Sequence, residues 1–137
     1  MSATIPDTHK DLLKESACII ISTVFDNGQP QSSVVWKKFD GEKIQFSLTT
    51  DRQKTKNMQK NPKISVLAID DANPYKYIEL RGEVTITSEG AIDLLDELAK
   101  IYTGKDKFYG GVAPAENQHK EQRVMVTLKP SHVVTYG

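Results

Sequence analysis

What this 137-residue chain lacks narrows it first. Cys18 is its only cysteine, so no disulfide can form within the chain and stability has to come from a packed core. A lone thiol in an apolar run is expected inside that core, and it suits a reducing compartment. Charge of one sign is also missing: 18 lysines and arginines balance 18 aspartates and glutamates. No global field therefore draws the chain to nucleic acid or to an anionic membrane, and any anion site has to be local. The three histidines, His9, His119 and His132, stand far apart without a partner at ligand spacing, so no metal site is expected. There is no Gly-x-Ser-x-Gly elbow, no Walker loop and no Gly-x-Gly-x-x-Gly turn, which removes the usual hydrolase, P-loop and Rossmann chemistries. No apolar run approaches the ~20 residues that span a bilayer, and the first residues carry no charged-then-apolar signal pattern. The expectation is a cytoplasmic protein with one domain over residues 1–137.

What is present is mostly strand. Residues 17–25 are β-branched and almost continuously apolar, which predicts a strand buried on both faces. Turn chemistry at residues 26–30 leads into a second strand over 31–39. Residues 43–49 then alternate polar with apolar at period two, so that three strands form an antiparallel meander. A basic helix follows and ends before Pro62. Strands are expected again over 63–69 and 75–87, the latter with Gly82 marking a bulge or a close backbone approach. A helix over 89–102 places Ile92, Leu95, Leu98, Ala99 and Tyr102 on one stripe, with Ser88 as its cap. Residues 103–122 read as loop with a helical turn, and two strands parted by Pro130 close the chain. A short amphipathic helix over 9–15, buried through Leu12 and Leu13, covers the sheet. About seven short strands with few helices predict a mainly β fold closed into a split antiparallel barrel, which removes exposed sheet edges.

One junction concentrates the candidate chemistry. After Ser47-Leu-Thr-Thr50 the third strand stops and the basic helix begins. The first turn of a helix leaves backbone N–H groups unpaired at the positive end of its dipole, so Thr49, Thr50, Arg52 and Lys54 are placed to complete an anion site there, with Asp51 as the N-cap. A solvated helix face accounts for the same residues. Arg52, Lys56 and Lys60 share one face while Lys54 and Asn57 share another. In the second strand, Ser32, Val34 and Trp36 alternate with Ser33, Val35 and Lys37; Trp36 reads as core or interface. Tyr75 and Tyr77 precede Arg81 on one face, where either a planar ligand or a second subunit fits. Asp70 and Asp71 read as solvated turn formers.

Taken together, the Asn27-Gly-Gln-Pro30 turn followed by Ser32-Ser-Val-Val-Trp36, the run Arg52-Gln-Lys-Thr-Lys-Asn57 with Asn61-Pro62 after it, and the ending Arg123-Val-Met-Val-Thr-Leu with Ser131-His-Val resemble one group. It is the pyridoxamine 5'-phosphate oxidase-like, FMN-binding split-barrel flavoproteins, and within them the small reductases that use flavin or the deazaflavin F420. The resemblance implies a homodimer with two cofactor sites at the subunit interface. It implies that Arg52 and Lys54 bind the cofactor phosphate, that Thr49 and Thr50 donate hydrogen bonds beside it, and that Thr55 and Asn57 line the tail. Ser33, Val34, Val35, Trp36 and Lys37 would run along the ring, with Tyr77 and Arg81 added, from the partner chain if not from this one. The group's name-giving enzyme continues into a C-terminal segment that holds its substrate, whereas this sequence stops at Tyr136-Gly137, so vitamin B6 oxidation is not expected.

The implied activity is an FMN-dependent oxidoreductase acting on a small conjugated molecule, with F420 as the alternative cofactor and a biliverdin, quinone or enone as the substrate type. No catalytic residue is identified, since such a cofactor carries the hydride chemistry itself. A non-enzymatic module that stores or senses flavin or haem is the alternative from another class. A nucleic-acid-binding barrel lacks the aromatic ladder it would need.

Overall fold

The computed structural model describes residues 3–14 and 17–137. Eight strands, two α-helices and two 3-10 turns follow one another along it. Strand β1 (Ile19–Val24) pairs antiparallel with β2 (Pro30–Val35) on one side and β5 (Lys63–Ile69) on the other. The short β3 (Lys38–Phe39) pairs with β4 (Ile44–Thr49), and β4 pairs with β7 (Arg123–Leu128). The meander expected from the sequence therefore forms only in two separated pieces, β1 with β2 and β3 with β4. The second strand breaks at Trp36 and Lys37, and β4 is carried to the far sheet, where Thr49 lies opposite Arg123 and Ile44 opposite Leu128.

The long β6 (Tyr77–Thr87) joins the two sheets into a split antiparallel barrel. One edge pairs with the whole of β5, through Tyr77 to Glu83; the other pairs first with β8 (His132–Tyr136), through Tyr77 to Arg81, and then with β7, through Val84 to Thr87. Gly82 sits at the changeover, and it is a close approach. A Cβ there would lie 3.0 Å from Leu128 Cδ1 and 3.1 Å from the Lys129 carbonyl, so only glycine lets the β7–β8 connection cross. Ser131 N–H donates to the Arg81 carbonyl beside it, at 2.8 Å.

The core follows from alternation along these strands. Ile19, Ile21, Ile44, Phe46, Val66, Ile78, Leu80, Val126 and Leu128 are at most 1% exposed and point inward. In β1 the even positions Ile20, Ser22 and Val24 are only half-buried, because an antiparallel barrel has one inside, not two. Cys18 shares that outward parity and is exposed, which corrects its placement in the core. A 3-10 turn, Asp7–Leu13, buries Leu12 and Leu13 against the barrel in place of an α-helix; of the expected span, Glu15 lies outside the described residues.

Helix α1 (Gln53–Lys60) packs on β1 and buries Thr55, Asn57 and Met58. Its boundary residue is Arg52, in extended conformation and with no side-chain cap, so Asp51 is not the cap. Helix α2 (Ala91–Thr103) lies over β4 and β7. It starts after Gly90, whose φ of 75° only glycine adopts cheaply, rather than at Ser88. No helix among the described residues is long and apolar enough to cross a membrane, and no group of three metal-ligating side chains forms among them.

Candidate functional site

Two consequences of this topology create a cleft of about 320 Å³. Pairing of β4 with β7 leaves the outward-facing Ser47 and Thr49 beside Arg123, and α2 roofs that face with Leu95 and Leu98. The end of β2 then brings Val34, Val35 and Trp36 to the cleft, while Arg52 and Lys54 line it from the start of α1. Basic groups and apolar surface thus meet in one concavity, which suits a ligand that is planar at one end and anionic at the other.

At the basic end, Lys54 Nζ donates to Ser33 Oγ at 3.0 Å, tying the helix to β2. Burial, with Arg52 nearby as a smaller cause, holds the Lys54 ammonium below its ordinary 10.5. Thr49 is 3% exposed, and its hydroxyl is the one buried side-chain polar atom without a hydrogen-bond partner among the described residues. Asp51, exposed beside it, has its carboxyl held below 3.8 chiefly by that hydroxyl, without hydrogen-bonding geometry being reached. An uncapped helix start, two cations and an orphaned hydroxyl on one wall have the donor set that a phosphate requires.

The other end is aromatic. Trp36 stacks on Tyr102 with ring centroids 5.1 Å apart and planes inclined by 7°, and Phe108 meets Trp36 edge-on at 6.2 Å. Tyr102 Oη shares its one hydrogen between the carbonyls of Ala17, at 3.0 Å, and Lys37, at 3.2 Å, and receives the Lys37 N–H, with burial raising its pKa above 10.0. The segment that carries Cys18 to the cleft is fixed by these contacts.

The structure divides the sequence-derived candidates. Val34, Val35, Trp36, Thr49, Arg52 and Lys54 line the cleft, and Ser33 reaches its edge through Lys54. Thr50 lies beside them at the turn, its N–H donating to Gln122. Thr55 and Asn57 instead face the barrel: Thr55 Oγ1 donates to the Thr49 carbonyl, and Asn57 Nδ2 donates to Thr23 Oγ1. Lys37 is fully buried, its ammonium donating to the carbonyls of Lys14 at 2.5 Å and Ala17 at 2.6 Å, so it shapes a loop rather than the cleft. Tyr77 and Arg81 are elsewhere. Tyr77 packs on Tyr136, and Arg81, ion-paired to Glu79 at 2.8 Å, lines a separate cavity of about 750 Å³. Tyr75 precedes β6 and is exposed.

Cys18, Ser47, Leu95, Leu98, Phe108 and Arg123 also line the cleft and were not read as site residues in the sequence. Cys18 was expected in the core, Ser47 and Arg123 stood only within strand motifs, and Leu95 and Leu98 only in the α2 stripe; long-range strand pairing and the 103–122 loop bring Arg123 and Phe108 to the cleft.

Comparison with known proteins is consistent with this geometry. Residues 5–137 match the family described as pyridoxamine 5'-phosphate oxidase. A solved structure named F420 reductase is 30% identical, with a TM-score of 0.80 over 95% of this chain and 98% of that one. A conserved hypothetical protein from Mycobacterium tuberculosis is 22% identical, with a TM-score of 0.74 over 98% of this chain and 86% of its own. HupZ from Group A Streptococcus shares the fold at 20% identity, with a TM-score of 0.64 over 96% of this chain and 94% of its own.

Proposed function

Because this chain belongs to the pyridoxamine 5'-phosphate oxidase family, in which flavin and deazaflavin binding is the common property, we propose that it is a single-domain oxidoreductase holding FMN in the cleft between α1, β2 and α2. The observation that carries this reading is the convergence of Arg52, Lys54 and the unpartnered Thr49 hydroxyl on the same cleft as Val34, Val35 and Trp36. The cations and hydroxyl hold the phosphate, and the apolar wall with Trp36 receives the ring.

Arg52, Lys54 and Thr49 would hold the FMN phosphate and Val34, Val35 and Trp36 its ring, and the cofactor, once reduced by an external hydride donor, would supply hydride to a small conjugated acceptor of quinone, enone or biliverdin type. The chain's residues bind the ring, orient it and keep water from its apolar face. Val34 is 64% exposed in the single chain, an apolar surface that a ring and a second copy together would cover. The protein is accordingly a homodimer in this reading, and Tyr77 and Arg81 reach a site only as the partner's contribution. Its place of action is the cytoplasm.

F420 is the second reading, favoured by the 30% identity to a protein of that name. Fluorescence titration separates the two: FMN or F420 is quenched on binding, and mass spectrometry of the purified protein identifies which one it retains. Replacing both Arg52 and Lys54 by alanine raises the dissociation constant roughly 100-fold or more, as loss of two charge-assisted phosphate contacts requires. If neither FMN nor F420 binds, the proposal is wrong. If one binds but its reduced form is not reoxidised by any quinone, enone or biliverdin, the protein is a binding module and not an enzyme.

A further inference from the structure

Arg123 opens β7, far in sequence from the basic helix, yet the ladder sets it directly opposite Thr49. Its guanidinium is fixed on several sides. It lies over the Phe108 ring at 5.0 Å and the Tyr109 ring at 5.8 Å from the centroids. Nε donates to Tyr109 Oη at 3.0 Å and Nη1 to the Ser47 carbonyl at 3.4 Å. Tyr109 Oη is itself occupied by the Glu121 carboxylate at 2.9 Å. Among the described residues, no carboxylate comes within ion-pair distance of Arg123, and Nη2 has no hydrogen-bond partner.

A half-buried cation that is held rigidly, and whose carboxylate neighbour Glu121 is reached only through the Tyr109 hydroxyl, keeps an open N–H face that an anion in the cleft would complete. The hydroxyl opposite it, on Thr49, is buried, and no partner meets it in hydrogen-bonding geometry, the exposed Asp51 carboxylate lying beside it. Both residues line the same cleft as Arg52 and Lys54. The geometry points to Arg123 as an oxyanion ligand in that cleft, acting with the Thr49 hydroxyl on the phosphate that Arg52 and Lys54 receive at the start of α1. This assignment rests on the cofactor reading above. The ligand chemistry is a ribityl-linked phosphate, met as a monoester in FMN and as a diester in F420.

Two of the guanidinium's nitrogens are already placed by Tyr109 and Ser47, so the third presents its N–H groups with little rotamer freedom left to lose. A lysine would keep the charge and lose that fixed orientation. The four contacts also explain why α1 alone need not neutralise the phosphate: its cations stand at the cleft's edge, with Arg52 exposed, while Arg123 is half-buried.

The test compares ligands with and without the phosphate. FMN and riboflavin are titrated into the wild-type protein, R123Q, R123K and T49V, and F420 is compared with its phosphate-free deazaflavin if F420 is the ligand that binds. R123Q is expected to weaken FMN roughly tenfold to 100-fold while leaving riboflavin unchanged, with R123K between it and the wild type. T49V removes a hydroxyl whose one polar neighbour in the fold is the exposed Asp51 carboxylate, so it should fold with a melting temperature close to the parent's and still lose FMN affinity several-fold. R123K, which keeps the charge and loses the fixed fork, decides the matter if R123Q does not fold. Unchanged FMN affinity in R123Q or R123K, or an equal loss of FMN and riboflavin in either, overturns the assignment while leaving the cofactor reading standing. A wild-type protein that takes up neither FMN nor F420 overturns both.

Discussion

Trp36 lies face to face with Tyr102, their centroids 5.1 Å apart, and the Tyr102 hydroxyl beyond the stack gathers Ala17 and both backbone groups of Lys37. One side chain of α2 thereby fixes the aromatic end of the cleft and the segment entering β1. Tyr102→Phe keeps the stack and removes the polar knot, leaving the Lys37 N–H short of an acceptor. The expected cost is about 1–2 kcal/mol of stability, read as a shifted denaturation midpoint with unchanged slope. A variant as stable as the parent shows that the hydroxyl bonds are replaced by water.

Cys18 supplies a reporter that needs no label to be engineered. It is the only cysteine, it is exposed, and it lines the cleft. Saturating FMN should slow its alkylation by a soluble maleimide at least several-fold, whereas riboflavin at a concentration that does not saturate should protect it in proportion to occupancy. Full reactivity in the saturated protein places the ligand outside this cleft.

The barrel was legible because its strands carry their inside and outside in a period of two: β4 and β7 alternate cleanly, and Gly82 announced the close approach it makes. Pairing was not legible. Nothing local to residues 44–49 tells that they leave β2 and join residues 123–128, since any strand with the same parity offers the same ladder. The break at Trp36 and Lys37 was hidden for a related reason: a buried lysine looks like a surface residue until the Lys14 and Ala17 carbonyls that receive it are in place. The candidate site divides similarly. Thr49, Arg52 and Lys54 fall within one strand-to-helix junction and were visible as a motif, while Arg123 and Phe108 arrive from distant segments.

Lys54 gives the cleft a pH dependence whose sign is fixed. Burial and, less strongly, Arg52 hold its ammonium below 10.5, so between the folded value and 10.5 the unfolded chain binds more protons than the folded one. Stability contributed by this residue therefore rises with pH through that window, while affinity for a phosphate falls there as the charge is lost. FMN affinity measured from neutrality up to pH 10.5, with riboflavin as the control for titration of the ring, should decline earlier in the wild type than in K54R, whose guanidinium stays protonated. Superimposable profiles remove Lys54 from the phosphate site.

Asn57 allows anchoring to be separated from binding. Gln53 Nε2 donates to its Oδ1 at 2.8 Å, its Nδ2 donates to Thr23 Oγ1 at 3.0 Å, and that hydroxyl passes its own hydrogen to Gln31 Oε1 at 2.8 Å. A continuous chain of donors thus runs from α1 through β1 to β2, with Asn57 4% and Thr23 0% exposed at its centre. Asn57→Ala breaks the chain at its middle and strands buried polar groups, costing about 1–3 kcal/mol in a denaturant titration. Arg52→Ala removes an exposed side chain and should stay within about 0.5 kcal/mol of the parent. On ligand affinity the order reverses: Arg52→Ala loses FMN specifically, while Asn57→Ala weakens FMN and riboflavin together, to the extent that α1 shifts. If Asn57→Ala instead lowers FMN affinity alone at unchanged stability, Asn57 contacts the cofactor tail directly and its inward placement is not what binding uses.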